Sequence, residues 1–112
     1  MTLRRSRLLS AFTVLTATGV SAAITPALSE PFNVGRTTLQ CYTQPCPWNG
    51  VWPADQAAQP NNLVWSGPKP PAMTGNAADL KRIRADYLER CTLVEAQFSE
   101  GVLAVSKIIG AC

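Results

Sequence analysis

Hydrophobic and polar residues recur with two different periods in the second half of the chain, and the change of period places the predicted elements. From Asn76 onward, Leu80, Ile83, Tyr87 and Leu88 fall at helical spacing, with Cys91 one turn further on. Lys81, Arg82, Asp86, Glu89 and Arg90 take the opposite face, where Arg82–Asp86 and Asp86–Arg90 are candidate ion pairs four residues apart. Asn76 can cap the first turn, and Asp79 at the third helical position suits the positive end of the helix. One helix is predicted over about 77–90. The period then drops to two. Thr92–Phe98 and Val102–Ile109 read as strands around Ser99-Glu100-Gly101, a three-residue hairpin loop in which Gly101 takes the left-handed conformation. Val94, Ala96 and Phe98 point inward; Glu95 between them faces solvent.

Upstream the pattern is more broken. Val34–Thr43 is rich in β-branched and aromatic residues and predicts the first strand. Pro45, Pro47 and Pro53 leave room only for a short strand at Gly50-Val51-Trp52, and a further short strand falls at Leu63-Val64-Trp65. Residues 54–62 are a polar connection, and 66–75, dense in Pro and Gly, read as a loop. The predicted order is strand, short strand, strand, helix, strand, strand. The fold class is small α+β, mainly antiparallel β. In topology alone, with no motif behind it, this order resembles the five-stranded OB-type barrel. A sandwich with the helix across an antiparallel sheet explains the pattern nearly as well.

The N-terminus follows neither period. Arg4, Arg5 and Arg7 precede an uncharged run from Leu8 to Ala23 that ends in small residues. This is the three-part layout of a secretory signal, predicted over residues 1–23 with cleavage near Ala22 or Ala23. The run is about 16 residues long, short of the roughly 20 that a membrane-spanning helix needs. Arg4-Arg5 hints at twin-arginine export, but Arg7 stands where that motif wants an apolar residue, which favours the general secretory route. The first cysteine, Cys41, comes too late for a lipid anchor. Residues 24–33, with two prolines and little pattern, read as a flexible leader, and 34–112 as a single domain. The product is expected to be periplasmic or secreted, with no stable membrane insertion after cleavage.

Charge changes the picture once the signal is set aside. The formal net charge of +3 resides in the three N-terminal arginines; residues 24–112 carry seven basic and seven acidic side chains. Nothing then favours nucleic acid or an anionic membrane as partner. Four cysteines, Cys41, Cys46, Cys91 and Cys112, fit an oxidising compartment and a domain too small to rely on its core alone. Zinc would want close cysteine pairs or histidines. The chain has one C-x4-C and no histidine, so no metal or cofactor is expected. A hairpin turning near Glu100 brings Cys91 beside Cys112, leaving Cys41 to pair locally with Cys46; the rival pairing ties Cys112 to the first strand.

The absence of histidine also removes Ser-His and Cys-His nucleophile pairs and any histidine general base. Asp79, Asp86 and Glu89 read as a solvated helix face, and the C-x4-C with its prolines as structural rather than redox-active. The candidate chemistry is aromatic. Tyr42, Trp48 and Trp52 cluster around the Cys41–Cys46 loop, where a Pro-stiffened tryptophan offers contact area at small entropic cost. Trp65 is assigned to the core. The expected function is an exported, non-enzymatic binding module contacting an envelope protein or glycan through Tyr42, Trp48 and Trp52. The alternatives are an accessory subunit of a larger envelope complex and, behind both, a minimal enzyme using carboxylates or free thiols.

Overall fold

The computed structural model describes residues 29–42 and 44–112. The predicted signal peptide and the first part of the leader lie outside the described residues. Six strands and one helix follow in the order β1 (Glu30–Arg36), β2 (Asn49–Pro53), β3 (Trp65–Ser66), β4 (Ala72–Thr74), α1 (Ala77–Asp86), β5 (Cys91–Ser99) and β6 (Val102–Ala111). They form one mixed sheet in the order β3-β2-β1-β5-β6-β4. All neighbours are antiparallel except β4 and β6, which run parallel. Its two edges, β3 and β4, are joined by residues 67–71 alone. That short link curls the sheet into a half-barrel.

The core fills the inside of the curl. Phe32, Val34, Val51, Val94, Ala96, Leu103 and Val105 alternate along their strands onto one face, and α1 adds Leu80 and Ile83. Tyr87, just past the helix, closes the cluster, with Trp65, Met73, Phe98 and Ile108 packed against it. The register explains which residues meet: Val34 stands opposite Val51 on one side and Thr92 on the other. At Gly35 the strands come so close that a β-carbon would sit 2.1 Å from the Arg90 carbonyl oxygen, so only glycine fits. Asn76 caps α1 as its sequence position predicts, its side-chain oxygen accepting from the Ala78 and Asp79 amides at 2.9 and 3.3 Å.

Several elements differ from their sequence-based boundaries. β1 begins at Glu30 rather than Val34, because Phe32 shares the inward face with Val34 and is 6 % exposed. The flexible leader predicted for 24–33 therefore reaches at most to Ser29. The strand also stops at Arg36, and residues 37–42 form the loop leading to β2. The third strand lies at Trp65–Ser66 rather than Leu63–Trp65. Within the predicted loop 66–75, Ala72–Thr74 pairs in parallel with β6. A three-residue parallel edge leaves no alternation to detect.

The helix ends at Asp86 rather than near residue 90, and Leu88, expected on its apolar face, is 56 % exposed. The proposed Arg82–Asp86 and Asp86–Arg90 pairs do not form. Among the described residues the ion pair is Lys107–Glu95 at 3.7 Å, on the solvent side of β5 and β6. The hairpin loop is two residues rather than three. Glu100 and Gly101 both have positive φ, 53° and 77°, as a type I′ turn requires.

Disulfide bonds join Cys41 to Cys46 and Cys91 to Cys112, and no cysteine is free. The second staples the open end of the β5–β6 hairpin, where the Cys112 amide also donates to the Cys91 carbonyl at 3.3 Å. Among the described residues no helix is long and apolar enough to cross a membrane.

Candidate functional site

The segment from Cys46 to Asn49 is anchored from both sides before β2 begins. Thr37, just past the end of β1 and 2 % exposed, donates its amide to the Trp48 carbonyl at 2.8 Å and its hydroxyl to the Pro47 carbonyl at 2.7 Å. The Trp48 amide in turn donates to the Cys46 carbonyl at 2.9 Å, and Cys46 is itself buried against its disulfide partner. Asn49 is the second anchor. Its buried side chain donates to the Tyr87 and Leu88 carbonyls at 2.8 and 3.2 Å, satisfying the end of the helix that terminates there. Its carbonyl accepts the Gly67 amide at 3.1 Å. The backbone of Trp48 is thus held by partners on both flanks, while its side chain remains 44 % exposed.

Trp48 lines two clefts. The first, about 490 Å³, opens between this corner and the connection after β2. Pro45, Pro47 and Trp48 form one wall and Pro60, Leu63 and Pro68 the other, with no charged residue in the lining. The second, about 390 Å³, shares Trp48 with the first and carries charge at its rim: Arg36, Glu89 and Arg90 line it together with Thr37, Thr38, Leu39, Gln40 and Cys91.

The far wall of the first cleft is pinned by two aromatic residues. The Tyr87 hydroxyl donates to the Gly67 carbonyl at 2.8 Å, and the Trp65 indole N–H donates to the Lys69 carbonyl at 3.0 Å. Burial of the ring pushes the Tyr87 phenol up to about 12, an effect partly offset by its contact with the Trp65 indole.

The structure does not bring the three expected contact residues together. Tyr42, next to Cys41 in the disulfide loop, is fully exposed and lines neither cleft. Trp48 lines both. Trp52 is only 6 % exposed, on the face of β2 opposite Val51 and outside the core cluster. That face is covered: at Gly50, two residues earlier on the same side, a β-carbon would meet the Trp65 carbonyl at 2.4 Å and the Leu63 side chain at 3.3 Å. Trp52 is accordingly not a surface residue.

Pro60, Pro68, Arg36 and Arg90 were not expected at the site. They approach Trp48 only because β1 leads into the pinned corner and the 54–68 connection folds back over β2, pairings remote in sequence. Among the described residues no group of three or more His, Cys, Asp or Glu side chains could hold a metal. A scan against protein-family models finds no match, and searches of curated proteins and of solved structures return none either.

Proposed function

We propose that the chain is an exported, non-enzymatic binding module that contacts a protein or glycan of the cell envelope with Trp48 and the two clefts that it lines. The observation that carries this reading is the pairing of a rigid backbone with an exposed indole. The Trp48 backbone is held by hydrogen bonds on both flanks, while the residue is left 44 % open and lines both clefts. Such a residue presents a large contact area on a backbone that is already ordered before binding. Tyr42, fully exposed on the adjacent disulfide loop, extends the contact at its rim.

Two further arguments support the rest of the proposal. Two closed disulfides suit an oxidising compartment, and the residues 1–23 have the sequence of a cleavable secretory signal. The strand order also fits an OB-type barrel whose third strand is interrupted. β1 would lie between β2 and β5, α1 would precede β5, and β3 with β4 would form one strand broken at 67–71 and closing in parallel on β6. In that architecture the loop between the first two strands flanks the binding face, and here it carries Trp48.

The test is site-specific photo-crosslinking in the native host, with benzoylphenylalanine placed at position 48 or, as control, at position 100 on the remote hairpin. A discrete adduct formed from position 48 and not from position 100 is the expected result. Equal labelling from both positions, or none from position 48, contradicts the proposal.

A further inference from the structure

The two clefts differ in the charged side chains that line them, none in the first and Arg36, Glu89 and Arg90 in the second, and the difference narrows the ligand. The first cleft is apolar apart from Asn49 and Ser66, and both hydrogens of the Asn49 amide are already directed at helix carbonyls. A sugar ring stacked on Trp48 would find few planar polar side chains to satisfy its hydroxyls there, and leaving them unpaired is costly. An aliphatic side chain meets no such penalty between prolines, Leu63 and an indole. The second cleft carries two arginines against one carboxylate, Glu89. Among the described residues neither Arg36 nor Arg90 lies within 4 Å of an acidic group. Their backbones are joined by a hydrogen bond from the Arg36 amide to the Arg90 carbonyl at 2.8 Å, which roots the two side chains beside each other.

Resting on the reading of Trp48 as a contact residue, we propose that the ligand is an extended peptide segment that seats an apolar side chain in the first cleft and a carboxylate at Arg36 and Arg90 in the second. Guanidinium groups recognise carboxylates with paired, charge-assisted hydrogen bonds. Because both clefts share Trp48 in their linings, and extended chain advances about 3.3 Å per residue, anchors one to three residues apart are the spacings to test. The apolar anchor provides the buried area, and the carboxylate sets orientation and selects against neutral partners.

The probes are acetylated, amidated tetrapeptides carrying Leu and Glu separated by one, two or three positions, each with a Gln-for-Glu twin, and the trisaccharide of N-acetylglucosamine. Binding to the 15N-labelled domain is read from the Trp48 indole N–H and the Arg36 and Arg90 amides. At least one Glu peptide is expected to move all three signals and to bind roughly two- to fivefold more tightly than its Gln twin, the range an exposed ion pair supports. That preference should shrink as salt rises and disappear in both Arg36→Gln and Arg90→Gln, while the Trp48 signal still responds to the peptide. Two variants, each checked for an unchanged amide spectrum, guard against a folding defect in either one.

Equal binding of Glu and Gln twins at Trp48 overturns the acidic class and leaves the binding surface standing. Binding of the trisaccharide in place of every peptide overturns the peptide and leaves the surface standing. If no probe moves Trp48, both this inference and the reading beneath it fail.

Discussion

At the scale of single residues, Tyr87 couples the end of α1 to the wall of the first cleft through its hydrogen bond to the Gly67 carbonyl. Tyr87→Phe keeps the ring that fills the core and removes the bond, leaving a part-buried carbonyl without its partner. A loss of about 1 kcal/mol, read from the urea midpoint at neutral pH, is expected. The same phenol makes stability depend on alkaline pH. It ionises near 10 when unfolded and at about 12 when folded. Its contribution is therefore complete below pH 10. As pH rises from 10 to 12 the unfolded state loses the proton first and stability falls, by roughly 2 kcal/mol across the interval. Urea midpoints measured between pH 9 and 12 should fall more steeply for the wild type than for Tyr87→Phe. Parallel curves would show that the buried phenol does not contribute. Glu100 offers the opposite case, an acidic residue holding a left-handed conformation at a cost of about 1 kcal/mol. Glu100→Asn, the residue favoured at that turn position, should raise the midpoint by the equivalent of about 0.5 kcal/mol.

At the scale of elements, the chain separates into parts that can be read from sequence and parts that cannot. The β5–β6 hairpin and the Asn76-capped start of α1 were readable because their determinants are local: alternation, a glycine-bearing turn, a cap. The end of α1 was not. Leu88 fits the helical period, but the Asn49 side chain, thirty-nine residues away, takes the Leu88 carbonyl as an acceptor where the helix stops. β4 escaped because a parallel edge strand of three residues is defined by the partner it meets rather than by its own pattern. The two disulfides act on different elements. The Cys91–Cys112 bond spans 21 residues of sequence and the Cys41–Cys46 bond five. Replacing Cys91 and Cys112 with Ser should cost about 3 kcal/mol and replacing Cys41 and Cys46 about 2 kcal/mol by loop entropy. The second change should also raise hydrogen exchange selectively at Thr37 and Trp48, whose amides hold the corner. Uniform exchange throughout the domain would mean that the small loop does not support the site.

At the scale of the whole molecule, the half-barrel serves to hold one corner. The β1–β2 pairing, the helix terminus, the Tyr87 tether and the Cys41–Cys46 loop all converge on residues 46–49, and the indole left exposed there is the centre of the functional proposal. The aromatic cluster legible in the sequence contained that residue, but sequence spacing could not tell Trp48 from Trp52. The two are four residues apart, yet Trp48 is 44 % exposed and Trp52 6 %, a difference set by packing between segments remote in sequence. The arginines of the second cleft were less accessible still, since Arg36 ends a strand and Arg90 follows the helix. The proposed function requires this scaffold to be exported and stapled by both disulfides where it works. The direct measurement is the intact mass of the protein isolated from its native host, alkylated with and without prior reduction. A chain beginning near residue 23 or 24, unlabelled until reduction exposes four thiols, is the predicted result. A full-length chain whose cysteines label without reduction would contradict it.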